Sequence, residues 1–81
     1  MKYSVYSIKD LKTGFLPPTV EMNDQSAIRN FEHACSNTQS LFFTHPGDYQ
    51  FWRLGTYDTD TGELTSDPVF LIDAPNQKEG V

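Results

Sequence analysis

Asp48-Tyr49-Gln50-Phe51-Trp52-Arg53-Leu54-Gly55-Thr56-Tyr57-Asp58 is the most strongly patterned run of the chain, and the expected architecture is built around it. It holds four of the eleven aromatic residues, the only tryptophan and one of the two arginines. Tyr49, Phe51 and Arg53 fall on one side, and Gln50, Trp52 and Leu54 on the other. A period of two with aromatics and threonine predicts a β-strand. Large apolar groups on both sides predict a central strand rather than a one-sided edge. Gly55 interrupts the alternation and marks a bulge or a close backbone approach.

The flanking chain supplies what this strand needs. Lys2 to Ile8 alternates and predicts a first strand, with Tyr3 and Val5 on one face and Ser4, Tyr6 and Ile8 on the other. The connection from Asp10 to Met22 contains Gly14 and the pair Pro17-Pro18, which reads as an extended, polyproline-like arm. Phe15 and Leu16 are expected to fold back on the core, or to cover a neighbour in an oligomer. Asn23 or Asp24 caps a helix whose apolar face is Ala27, Ile28, Phe31, Ala34 and Cys35. Ser40 to Thr44 reads either as one helical turn or as an extended piece, and His45-Pro46-Gly47-Asp48 reads as a turn. Asp58-Thr59-Asp60-Thr61-Gly62 predicts a hairpin. Glu63 to Ser66 returns, Asp67-Pro68 interrupts, and Val69 to Ile72 is a buried strand end. The predicted class is α+β in the order β-α-β-β, with one helix packed on a three-stranded, largely antiparallel sheet.

Composition sets the limits. The chain has 81 residues, 37% hydrophobic, with a net charge of -5. One small α+β domain over residues 1–74 with a flexible tail over 75–81 is the expected organisation. A domain this size buries only roughly 60–65% of its unfolded surface, so oligomerisation, with a dimer as the simplest form, is expected to add stability. Cys35 is the only cysteine, so no disulfide forms within the chain, which suits a reducing cytoplasm. The start lacks the apolar core of a signal peptide, and no apolar run approaches the ~18 residues of a membrane helix. No contact with a membrane is expected. Charge is uneven: residues 1–12 carry a net +2, residues 13–57 a net -2 and residues 58–81 a net -5. That balance excludes a strong non-specific grip on nucleic acid through phosphates alone.

Catalytic and metal patterns are weak. His33, Cys35 and His45 are the only soft metal ligands, and His33 and Cys35 stand two apart on the helix and point different ways. Cys35 falls on the apolar helix face, where a thiol packs rather than reacts. Asp58, Asp60 and Glu63 lack the spacing of a calcium loop, and no phosphate-binding glycine motif occurs. The reading is a non-enzymatic protein with no metal and no cofactor. The remaining signal is strand aromatics near cations, an arrangement that stacks unpaired bases and holds phosphates. The candidates are Tyr49 and Trp52 for stacking and Lys2, Lys12, Arg29 and Arg53 for phosphate contact, with Lys9 a further cation on the first strand.

Several short motifs recur together. They are Val5-Tyr6-Ser7-Ile8-Lys9-Asp10 after Lys2, Ala27-Ile28-Arg29 with Phe31, and His45-Pro46 with Asp48-Tyr49. Leu54-Gly55, Tyr57-Asp58 and Thr61-Gly62 complete the set. In order and spacing they resemble the small nonstructural proteins of gokushovirus-type microviruses, tailless phages with a circular single-stranded DNA genome. The resemblance covers residues 1–74. It implies a non-capsid protein made in the host cytoplasm that binds single-stranded DNA. It also implies a role in the switch from double-stranded replication to single-strand synthesis and genome packaging. The acidic balance supports a second reading, an interaction or regulatory module that docks on a phage replication or capsid protein, or on a host protein. The first reading expects binding that falls steeply with salt, and the second a contact sensitive to Asp58 or Asp60.

Overall fold

The computed structural model describes residues 1–76, so residues 77–81 of the expected tail lie outside the described residues. Its strands are β1 (Lys2–Asp10), β2 (Gly14–Phe15), β3 (Thr19–Glu21), β4 (Tyr49–Asp58) and β5 (Leu64–Asp73). Helix α1 (Asp24–Cys35) follows β3, and a single helical turn, α2 (Leu41–Thr44), leads through a 3₁₀ turn at Pro46–Asp48 into β4. The α+β class with one substantial helix and an antiparallel sheet is therefore observed. The sheet has five strands rather than three, in the order β2-β1-β4-β5, with β3 also paired to β1.

The two extra strands come from the Asp10-to-Met22 connection, where a polyproline-like arm was expected. Around Pro17-Pro18 the chain is extended, but on either side it pairs with β1: Phe15 opposite Lys9, and Val20 opposite Val5. The Ser7 hydroxyl donates to the Leu16 carbonyl at 2.6 Å, and the Leu16 amide donates to the Ile8 carbonyl at 2.8 Å. Ladder and side-chain bonds thus satisfy an arm that composition alone left solvated. They also cover the edge of β1 that faces away from β4. That edge of β1 is therefore closed within the chain.

β4 is the central strand, flanked by β1 and β5. Its partner β5 runs unbroken through Asp67-Pro68, where two strand pieces were expected. Pro68 is tolerated because β5 lies at the edge and because the β4–β5 register shifts nearby, between Arg53 and Gly55. The hairpin forms as its composition suggests. Asp58 Oδ1 accepts from the Asp60 amide at 2.9 Å, the Gly62 amide donates to the Asp58 carbonyl at 2.7 Å, and Gly62 takes φ +78°.

Helix α1 is capped by Asn23, whose side chain accepts from the Ser26 amide at 2.8 Å. Its face of Ala27, Phe31 and Cys35 is buried against Tyr6, Tyr49, Phe51 and Ala74. The Phe51 ring lies nearly parallel to Tyr6 (5.5 Å between centroids) and to Phe31 (4.8 Å), which ties helix, β4 and β1 together. Phe42 of α2 meets Tyr49 edge-on at 4.8 Å.

Gly55 shows why the bulge needs glycine. A Cβ placed there would lie 1.9 Å from the Thr65 carbonyl oxygen, a backbone atom that cannot swing away. Gly55→Ala should therefore lower stability by roughly 1–3 kcal/mol or more, read as a lower midpoint in urea unfolding. An unchanged midpoint would show that β4 and β5 do not approach this closely.

Candidate functional site

Strand alternation gives the sheet two chemically different faces. α1 and α2 pack on the face of Tyr6, Tyr49 and Phe51. The opposite face has no helix over it among the described residues. There Trp52 of β4 stands opposite Ser7 of β1 and Phe70 of β5, and Lys9 stands opposite Gln50 and Phe15. Four side chains from four strands converge as a result. Phe15 meets Trp52 edge-on at 5.7 Å, and Phe70 meets it at 5.9 Å with 74° between the planes. Lys9 Nζ lies 5.4 Å from the Phe15 centroid and 5.2 Å from that of Trp52, within cation–π range. Trp52 Nε1 donates to Gln50 Oε1 at 3.1 Å, which fixes the indole on the sheet. Phe15 and Phe70 remain 46% and 44% exposed, so these rings are a surface and not a second core.

The six residues singled out from sequence are dispersed. Trp52 is at the centre of this patch. Tyr49 is buried on the helix side, and its hydroxyl is raised chiefly by that burial, with Asp10 and Asp48 adding to it. No base can stack on a ring enclosed in this way. Arg53 also lies on the helix side and pairs with Asp24, Nη1 to Oδ2 at 2.6 Å. Lys2 and Lys12 are exposed near opposite ends of β1, Lys2 opposite Asp58 and Lys12 in the turn before β2. Arg29 is exposed on α1, in the layer behind the sheet. The patch thus keeps Trp52 and the further cation Lys9, and gains Phe15 and Phe70. Sequence reasoning expected Phe15 in the core or on a neighbour, and Phe70 in a buried strand end; only the register between distant strands sets both beside Trp52.

Asp24 explains Arg53. It is the first residue of α1, and its other oxygen accepts from the Tyr6 hydroxyl at 2.6 Å. One carboxylate therefore joins the helix start to β1 and β4 through charge-assisted hydrogen bonds. Arg53 is spent on this junction, as its alternation with Tyr49 and Phe51 implies. The Cys35 thiol is pushed up to about 11, first by burial and then by Glu32, so it stays protonated at neutral pH. Among the described residues no group of three or more metal-type ligands comes together. None of their helices is long and apolar enough to cross a membrane.

The fold and patch define a small antiparallel α+β protein with one sheet face committed to a helix and the other presenting aromatics. The chain belongs to the family described as Phage ORF5 protein, whose model matches residues 3–77, and is thus a small bacteriophage protein. No curated protein and no solved structure matches it.

The Asp24 junction has a pH signature. The Tyr6 hydroxyl is pushed up to about 12, first by desolvation and next by its bond to Asp24. The fold favours the neutral phenol, so this contribution is complete below the unfolded value of about 10 and is lost as pH rises toward about 12. Cys35 and Tyr49 are raised in the same direction. The informative quantity is therefore the stability of wild type minus that of Tyr6→Phe. It should be positive at neutral pH and shrink above pH of about 10 in urea titrations. A pH-independent difference would contradict the junction.

Proposed function

We propose that this phage protein is a nonstructural protein that binds single-stranded DNA on the open sheet face. Its place is the host cytoplasm, in the switch from double-stranded replication to single-strand synthesis and packaging. The observation that carries the reading is the Phe15–Trp52–Phe70 patch with Lys9 lying across it. Unpaired bases expose their ring faces, and aromatic side chains on a sheet receive them with little sequence preference. Paired bases are stacked on one another, so a duplex is a poor ligand for such a surface.

Lys9 serves in two states. In the free protein its ammonium rests against the rings of Phe15 and Trp52. When a base takes that space, the ammonium moves outward to a phosphate at the same spot. Lys12, one turn beyond the end of β1, is placed to meet the next phosphate. Lys2 lies near the other end of a nine-residue strand, some 26 Å away by strand rise. Arg29 lies behind the sheet, and Tyr49 and Arg53 belong to the core and to the Asp24 junction. Support for the phage role comes from the family and from the microvirus resemblance. The acidic balance fits a binder that gains affinity from stacking more than from phosphate neutralisation.

The salt dependence follows. The steep fall with salt expected from four or more cations is replaced by a shallow one, because Arg53 is paired with Asp24 and Lys2 and Arg29 lie away from the patch. With one or two phosphates contacted, log K should fall with log salt at a slope of about -1. Anisotropy of a labelled single strand should show this slope and little affinity for the matching duplex. Trp52→Ala should weaken binding about 10- to 100-fold, since stacking is worth about 1–3 kcal/mol per base. Trp52→Phe should lose less, and Arg29→Ala nothing. Unchanged affinity in a folded Trp52→Ala protein, or equal affinity for duplex, would refute the reading.

A further inference from the structure

The sheet has one edge that the described chain leaves open. β2 and β3 cover the outer edge of β1, but β5 has no second neighbour among the described residues. It is ten residues long and mostly exposed. Natural edges are commonly kept short, charged or interrupted because a row of unpaired N–H and C=O groups is a template for another strand. Here Pro68 interrupts the row once, leaving Leu64 to Asp67 and Val69 to Asp73 on either side.

Charge narrows what can pair there. From Leu54 to Asn76 the chain has no lysine, arginine or histidine, and it has five carboxylates: Asp58, Asp60, Glu63, Asp67 and Asp73. Asp67 and Asp73 lie on β5 itself and are exposed. A second copy docked edge to edge would bring its own carboxylates against these, and like charges across a strand pair repel. A nucleic-acid backbone meets the same repulsion. A hollow of about 220 Å³ adjoins the first half of β5, lined by Val5, Leu54, Gly55 and Leu64 with Thr65 and Ser66. It is large enough for an apolar side chain.

We propose that the outer edge of β5 receives an extended peptide segment of alternating basic and apolar residues from another protein, as an added strand. Backbone ladder bonds hold the segment. Its lysines or arginines face Asp67 and Asp73, and an apolar residue enters the Val5–Leu54–Leu64 hollow. The edge borders the aromatic patch, because Phe70 lies on β5 and Asp73 Oδ1 accepts from the Gln50 side-chain amide at 3.5 Å. The proposal rests on the outer backbone row and the carboxylates of β5, and needs no DNA binding.

The test uses a labelled peptide of alternating lysine and valine, followed by anisotropy at low salt. Two controls accompany it: the same peptide N-methylated on the amides along one edge, and an alternating glutamate–valine peptide. The lysine peptide should bind and the glutamate peptide should not. N-methylation should weaken binding about tenfold or more, because it removes ladder donors and leaves charge intact. The exposed double change Asp67→Asn, Asp73→Asn should also weaken it, and amide shifts in NMR spectra should concentrate in β5. Equal binding of the N-methylated peptide would mean attraction by charge alone and would overturn the proposal. So would shifts centred on α1, the absence of binding, or concentration-dependent pairing of the protein with itself through β5.

Discussion

Phe51 is the contact on which the remaining structure depends. Its ring lies against Phe31 of the helix on one hand and Tyr6 of the neighbouring strand on the other. Among the described residues there is one helix of useful length, and it covers one face of the sheet. Once Phe51 fixes which face that is, strand geometry fixes the rest. Tyr49 and Arg53 go inward with it, and Gln50 and Trp52 go to the uncovered side. The aromatic surface follows from where the helix docks, because the same alternating strand serves both faces.

The polar groups reinforce this division. Asp24 gathers Tyr6 and Arg53 at the start of the helix, so the only arginine on the sheet works in the helix–sheet junction. Ser7 holds the arm that carries Phe15 to the open face. Charge is divided as well. Lys9 and Lys12 belong to the β1–β2 end, while the hairpin and β5 carry only carboxylates among their charged side chains. The surfaces proposed above for a polyanion and for a cationic peptide thus differ in charge.

Much of this was legible in the sequence, and the failures have identifiable physics. The 48–58 stretch announced a central strand with a break at Gly55, and both are found. The helix, a cap at Asn23 or Asp24 (Asn23 in the structure) and the Gly62 hairpin were legible because each rests on local chemistry. The arm was misread because Pro17-Pro18 dominates its composition, whereas the strands on either side of it exist only through pairing with distant residues. β5 was divided at Pro68 because a proline penalises a central strand, and nothing local says that this strand lies at an edge.

The site was legible in part for the same reason. Trp52 stood out as the lone tryptophan on a strand. The position of Arg53 beside Phe51 in the alternation is enough to place it inward, although its charge alone suits a phosphate contact equally well. Tyr49 shares that alternation and that fate. Phe15, Phe70 and Lys9 join Trp52 only through register between strands far apart in sequence, which no short motif encodes.

The central claim is that the sheet has a committed face and a working face. Photo-crosslinking of an iodouracil-substituted single strand, followed by peptide mapping, tests it most directly. The account predicts adducts on Trp52, Phe15 or Phe70, with none on α1. Adducts on the helix or confined to the hairpin, or no adduct at a concentration where the strand is bound, would contradict it.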